Sequence, residues 1–527
     1  LKRSRRLLLA TLLSGLVGIA VYRTRKPGTP EAPAAVVADP AAQRPTAQGP
    51  VVGFQAGHGT LAWLGIPFAA PPVGELRWRA PRPPASRAQP LLATAMSAAC
   101  VQLASEFSGV PSRNGERTSG AEDCLYLNIW APQDAAPASL PVMVWIHGGA
   151  NTMSSAAPYL SMDELAGPQR VVVVSLNYRL GVFGWFTHPA LRGDPDPNDR
   201  SGNFGTLDLI AGLQWVRDNI AAFGGDPGRV TVFGESAGGV NVFSLLAAPQ
   251  ARGLFHRAIS QSGMPASYPV AAADGDQEPP GTAPFGSKPL IDQLLVADKL
   301  APDVAAARRL QDGWPAAQLL AYLRQKPATA LMAPLAGMAP GFLRGAYRWP
   351  AVIADGHVLP TGPLMEAISA SPVPTLFGTN RNETRTFQSA DPAYVDMLFG
   401  KLPRIKDKAA YVRDASYASD TWRLAGVDEP ARRRHAAGRP VFAYRFDWSE
   451  LPSNLLVDLK TLMGAAHGLE LGFLLGRSVD IVSAMHGATE ANAAGRAYLT
   501  AAMQSYWAQF AYAGDPGTGR HGELPAW

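Results

Sequence analysis

Cysteine is nearly absent from this 527-residue chain, which holds only Cys100 and Cys124. No CxxC pair and no HxxxH spacing accompanies them, which excludes a structural zinc site of the usual kinds. Charge is sparse as well, at 17% against 47% hydrophobic residues. That balance excludes a disordered or fibrous chain and describes a globular one. No segment recurs at a fixed period, which argues against a solenoid or propeller. Glycine and proline are plentiful instead, at 52 and 47 residues. Backbone punctuation this frequent means many loops and excludes a long coiled coil or helical bundle. Length alone suggests two to four domains, a prior that large single α/β domains break.

The body of the chain also lacks a positive excess. The formal net charge is +5, but Lys2, Arg3, Arg5, Arg6, Arg23, Arg25 and Lys26 supply seven positives before residue 27 with no acid among them. The remainder is therefore slightly negative and has no electrostatic footprint for nucleic acid. Within the basic segment, Leu7 to Tyr22 is an uncharged apolar run of sixteen residues. That is short for a membrane span and normal for the core of a signal peptide. Gly18-Ile19-Ala20 offers a small-x-small cleavage site, and Ser4-Arg5-Arg6 before the leucines resembles a twin-arginine export signal. Residues 1–26 therefore read as an export signal to the periplasm or the medium. Because basic residues flank the run on both sides, the alternative is a membrane anchor through residues 7–22. Residues 27–49 read as a Pro/Ala-rich linker, and residues 50–527 as the folded domain. In an exported chain the two cysteines are a candidate disulfide, two buried thiols being the alternative.

Short β-rich runs recur along the body. Pro141–Ile146 precedes a His-Gly-Gly turn, Val171–Leu176 precedes Asn177-Tyr178, and Val230–Phe233 precedes a glycine-flanked serine. Val373–Gly378 and Val441–Phe446 follow. Near-continuous apolar strands imply a sheet buried on both faces. Helical patterns lie between them, as over Thr206–Phe223 and Ala237–Leu246. The alternation predicts an α/β fold with a mostly parallel central sheet flanked by helices. Ligands of such sheets sit at the carboxyl ends of the strands, where this sequence places its unusual turns.

Gly234-Glu235-Ser236-Ala237-Gly238 fits GxSxG. A β-branched strand runs into it and a helix-forming stretch follows, which is the strand–turn–helix context of a nucleophile elbow. A serine hydroxyl needs a base. In this architecture the order is serine, acid, histidine, so the base belongs to the C-terminal part. The candidates are His435, His467, His486 and His521. His435 adjoins Arg432-Arg433-Arg434, His521 lies in a polar tail, and His486 follows a helix end. His467 is preferred because small neighbours in Gly464-Ala465-Ala466-His467-Gly468 suit an imidazole held close to another backbone. The acid should follow a strand, which suits Glu383 in Phe377-Gly378-Thr379-Asn380-Arg381-Asn382-Glu383, with Asp391 as the local rival. A carboxylate there orients the imidazole and stabilises its protonated form. His147-Gly148-Gly149-Ala150 follows a strand end as an HGGG-type loop does, so the backbone N–H groups of Gly149, Ala150 and Ala237 are candidate oxyanion donors.

With these motifs in view the chain resembles the type-B carboxylesterases. That branch of the α/β-hydrolase fold includes cholinesterases, para-nitrobenzyl esterases and the non-catalytic neuroligins. The resemblance runs from about residue 51 to the C-terminus. It is carried by Trp63–Ala69, Pro71–Trp78, Glu122-Asp123-Cys124-Leu125-Tyr126-Leu127-Asn128 and Phe223-Gly224-Gly225-Asp226-Pro227 leading into Gly234–Gly239. It implies loop and helical insertions over the active site. It also implies Ser236 as nucleophile, Glu383 as acid, His467 as base, Gly149, Ala150 and Ala237 as oxyanion donors, and a Cys100–Cys124 bridge. The implied activity is cleavage of small-molecule carboxylic esters through an acyl-enzyme, with no metal or organic cofactor. Amide, carbamate or lactone hydrolysis by the same machinery is the alternative, and a neuroligin-like binding role is a further one.

Four departures stand out. Ala150 replaces a third glycine, where a positive φ would be strained by the methyl group. Asn151 stands where an aromatic residue often follows. Thr384 replaces the glycine after the acid. No Trp lies between the cysteines, so the cation-binding platform of the cholinesterases is not evident and a quaternary-ammonium substrate is not expected. The chain ends at Leu524-Pro525-Ala526-Trp527, within or just after a family motif, which implies a short tail beyond it.

Overall fold

The computed structural model describes residues 36–106, 108–112, 115–276, 285–337, 346–400, 402–453, 457–476 and 489–527. The export-or-anchor segment at residues 1–26, the linker as far as residue 35, and His486 lie outside them. None of the described helices is long and apolar enough to cross a membrane.

Among the described residues one sheet of nine strands dominates. In chain order its strands are β1 (Phe54–Gln55), β2 (Thr60–Pro67), β3 (Tyr126–Pro132), β4 (Leu140–Ile146), β5 (Val172–Leu176), β6 (Gly225–Glu235), β7 (Arg257–Gln261), β8 (Thr375–Asn380) and β9 (Val441–Phe446). Their spatial order is β9-β8-β7-β6-β4-β5-β3-β2-β1. Pairing is parallel from β9 to β5, and β3, β2 and β1 complete the sheet in antiparallel fashion.

The apolar runs of β4 and β5 serve both faces. Val142, Val144 and Ile146 join one core, whereas Met143 and Trp145 join the other. Successive side chains of a strand point to opposite faces, so a sheet covered on both sides needs apolar residues at every position. The first face packs on α1 (Phe204–Asn219) and α2 (Ala237–Ala247), through residues such as Leu209, Leu213 and Phe243. The second packs on the long α4 (Ala493–Ala513), through Trp507 and Phe510. Between β8 and β9 the chain makes a further helix, α3 (Lys408–Arg423).

Residues 39–49, read from sequence as the end of a linker, pack against the domain. Asp39 N donates to Gly53 O at 2.8 Å, and Ala47 N to the Asn219 side chain at 2.7 Å. Trp63 Nε1 donates to Ala42 O at 2.7 Å. Residues 39–49 are therefore part of the folded body, which extends N-terminal of residue 50. Proline and alanine suit this segment because Pro40 opens a 3-10 turn and Ala42 fits a fully buried position. Cys100 and Cys124 form a disulfide across 24 positions, with Cα atoms 5.0 Å apart, and both are buried.

Candidate active site

The carboxyl ends of β4, β6 and β8 converge on a cavity of about 770 Å³. Ser236 lies between β6 and α2 with φ +58° and ψ −122°. A side chain other than hydrogen is strained there, at a cost on the order of 1–3 kcal/mol. The turn is so tight that a Cβ on Gly238 would lie 2.0 Å from Ile146 O. A Cβ on Gly234 would lie 2.7 Å from the same oxygen. The glycines of GxSxG are thus required because the first turn of α2 crosses the end of β4 backbone to backbone. Ser236 N is held by Gln261 O at 2.9 Å, at the end of β7.

The loop after β4 abuts this elbow: a Cβ on Gly148 would stand 3.1 Å from Ser236 Cβ. Gly149, Ala150 and Asn151 all take positive φ, at +97°, +56° and +57°. Met153 N and Thr152 N close the turn onto Gly149 O at 3.0 Å. Among the described residues none accepts from the N–H groups of Gly149, Ala150 or Ala237. All three residues line the cavity beside Ser236. Unused donors at a helix start and a tight loop suit an anionic oxygen.

Glu383 is fully buried at the end of the β8 loop. Its Oε1 accepts from Thr379 Oγ1 and from Asn380 N, both at 2.6 Å. Its Oε2 meets His467 Nδ1 at 2.7 Å. The acid and base loops are cross-linked: Asn382 N donates to Ala465 O at 2.9 Å, and Ala465 N to Asn382 Oδ1 at 3.2 Å. Asn380 Nδ2 donates to Ala466 O at 2.8 Å, and Thr386 Oγ1 to His467 O at 3.0 Å. Thr384, in place of glycine, donates through Oγ1 to Ala415 O of α3 at 3.1 Å.

His467 lines the same cavity as Ser236. Its Nε2 lies 3.1 Å from Glu235 Oε1 without the alignment of a hydrogen bond, and it makes none to Ser236 Oγ in this geometry. Trp422 and Phe387 flank the imidazole, with ring centroids at 5.0 and 5.3 Å. Burial alone would depress its pKa. The carboxylates of Glu235, Glu383 and Glu470 outweigh burial and raise it to about 9. Glu470, buried and beside Glu383, is itself pushed up to about 7. His147 is the contrary case: burial pushes its pKa down to about 4, so its ring, stacked on Tyr178 at 4.4 Å, is neutral near pH 7.

The rivals fall elsewhere. Asp391 is exposed and caps a turn by accepting from Ala393 N at 2.8 Å. His435 and His521 are exposed, away from the cavity lining. Sequence reading passed over Glu235 and Glu470 as partners of the imidazole, and Thr379 as a brace for Glu383. Glu235 and Glu470 carry a usable signal, since each sits within three positions of a candidate reacting residue in an otherwise apolar or small-residue stretch. Thr379 carries none. Among the described residues no cluster of three or more His, Cys, Asp or Glu is arranged to hold a metal ion.

A nucleophile-elbow sheet with an acid–imidazole pair beside the serine defines the α/β-hydrolase class. The profile of the carboxylesterase family matches residues 40–428. The para-nitrobenzyl esterase of Bacillus subtilis (strain 168) is 35% identical over 88% of this chain and 88% of its own. The fumonisin B1 esterase of Sphingopyxis macrogoltabida is 32% identical over 93% of this chain and 86% of its own. A solved para-nitrobenzyl esterase structure superposes with a TM-score of 0.67 at 31% identity, covering 92% of this chain and 93% of that one. A Geobacillus stearothermophilus carboxylesterase gives 0.68 at 29%, covering 92% and 94%. The chain belongs to the carboxylesterase family and is a carboxylic ester hydrolase.

Proposed function

We propose that the protein hydrolyses small-molecule carboxylic esters through an acyl-enzyme on Ser236. His467 Nε2 takes the hydroxyl proton as Oγ bonds to the ester carbonyl carbon. The carbonyl π pair moves onto oxygen, and that oxyanion is met by the N–H groups of Gly149, Ala150 and Ala237. On collapse the carbon–alkoxy bond breaks, and the imidazolium gives its proton to the departing alkoxide. Water then repeats the sequence: His467 accepts its proton, hydroxide adds to the acyl carbon, and Ser236 Oγ leaves with the proton returned. Glu383 holds the ring with Nδ1–H toward itself and stabilises the imidazolium.

The observation that carries this reading is the 2.7 Å contact between Glu383 Oε2 and His467 Nδ1, in the wall that also holds Ser236. It orients the ring with Nδ1 toward Glu383, which leaves Nε2, 3.1 Å from Glu235 Oε1, as the ring atom available to take a proton. The reading requires Nε2 to engage Oγ once an ester is bound, as catalytic hydrogen bonds commonly tighten in the complex. Export across a membrane is part of the same proposal and is supported by the Cys100–Cys124 bridge.

The test is labelling by a fluorophosphonate together with turnover of p-nitrophenyl butyrate. The parent protein is expected to take one label on Ser236. Ser236→Ala is expected to take none and to lose turnover by roughly 10³-fold or more. Full turnover by Ser236→Ala, or a label on another residue, overturns the assignment.

A further inference from the structure

The cavity wall holds one amide whose direction can be deduced. Asn151 is buried, lines the cavity, and follows the candidate oxyanion donor Ala150 directly. Its backbone is fixed: φ is +57°, which asparagine tolerates better than other non-glycine residues, and its carbonyl accepts from Gly181 N at 2.7 Å. Its side chain meets Asn241, one turn into α2, and Tyr178.

The orientation of this group follows from its partners. Asn241 Nδ2 donates to Asn151 Oδ1 at 2.9 Å, and the Tyr178 hydroxyl, 2.7 Å from the carbonyl oxygen of His147, lies 3.3 Å from the same Asn151 oxygen. Both contacts fall on Oδ1, so the Asn151 oxygen is turned toward Tyr178 and α2. The other polar atom of Asn151, Nδ2, has no acceptor among the described residues and is not sealed off from the cavity. These contacts thus turn the Asn151 amide nitrogen, with two N–H bonds, into a wall formed largely of apolar groups such as Met153, Val240, Met264 and Val352.

We propose that Asn151 Nδ2 is a substrate-recognition donor. It would bind a second, neutral acceptor oxygen close to the scissile carbonyl, as in a keto- or hydroxy-substituted ester. Proximity to the carbonyl follows from the chain itself, since Asn151 is the next residue after Ala150. A neutral acceptor is favoured because Glu106 and Glu235, two carboxylates of the same lining, outnumber the one cation among its described residues, the His467 imidazolium, and so oppose an anionic acid group. A buried donor in an apolar wall selects strongly because an ester lacking the acceptor leaves the N–H bonds unpaired. The inference rests on Ser236 hydrolysis as proposed above.

Ethyl 3-oxobutanoate and ethyl butanoate share the alcohol and differ only by a ketone oxygen in place of two hydrogens. kcat/KM is measured for both with the parent and with Asn151→Asp, which keeps the shape and exchanges donor for acceptor. Asn151→Gly, which suits the positive φ, is measured in parallel in case the aspartate variant does not fold. The variant-to-parent ratio removes the intrinsic reactivity of each ester. It is expected to fall about five- to ten-fold further for the keto ester, the worth of one neutral hydrogen bond. Equal falls for both esters, or no fall for either, overturn the inference. Failure of the underlying reading looks different: the parent itself would then turn over neither ester and take no label on Ser236.

Discussion

At the scale of single residues, His467 is the most strongly perturbed group of the site, and its environment has a readable consequence. Its base form is needed for attack on the ester, yet the carboxylates around it hold the proton to about pH 9. The acid limb of the kcat/KM profile is therefore expected well above the ordinary histidine value of about 6.5. Glu235→Gln removes the carboxylate that raises the imidazole most, so the limb should move to lower pH. A limb near 6.5 that the substitution leaves in place would contradict this electrostatic account. The same shift acts on stability in a definite sense. A pKa raised on folding gives stabilisation that is complete below the unfolded value and is lost as pH climbs through about 9. Sequence reading singled out His467 from the small residues around it, but not this titration. Two of the perturbing groups, Glu235 and Glu383, come from distant stretches that only the fold brings to His467, while Glu470 lies three positions further along the same loop.

At the scale of elements, the loop after β4 carries the clearest departure from the family pattern. Ala150 sits at φ +56°, where an L-residue with a Cβ is disfavoured by roughly 1–2 kcal/mol. Glycine removes that strain but adds about 0.4–1 kcal/mol of unfolded-state freedom. Ala150→Gly is thus expected to stabilise the protein by about 0.5–1 kcal/mol, seen as a higher urea midpoint with an unchanged slope. A lower midpoint would show that the methyl group packs to advantage. The strain was foreseeable from His147-Gly148-Gly149-Ala150 because the loop type dictates the angle. Other elements were less legible. The runs at Val172–Leu176 and Val441–Phe446 announce strands, being apolar and β-branched or aromatic. The strand β7, Arg257–Gln261, does not: its Ser260 and Gln261 look like turn residues. They are buried in mid-sheet, where Gln261 accepts from Ser236 N and from Trp507 Nε1 at 3.1 Å. Tertiary hydrogen bonds overrode local propensity there. The antiparallel strands β2 and β3 were hidden for another reason, since they fall in segments that read first as sequence motifs.

At the scale of the whole molecule, the disulfide closes a stretch with little regular structure among its described residues. Short two-residue strands and isolated bridges surround it at residues 100–121, with little regular structure to hold them otherwise. In the chain-entropy model a loop of this length contributes about 3 kcal/mol. Cys124→Ser paired with Cys100→Ser is expected to lower stability by about that amount in denaturant titration. Unchanged stability would mean that the buried packing of this segment suffices without the bond. The two-sided sheet was legible as a whole because its strands lack polar alternation. The docking of residues 39–49 was not, because alanine and proline read as a linker until Ala42 is seen in the core. Finally, the acid and the imidazole belong to loops that clasp each other through Asn380 and Asn382, so they behave as one transplantable cassette. A chimera that borrows the histidine loop from a relative without its carboxylate loop would inherit mismatched halves, and working hybrids should be those in which both segments share a single parent.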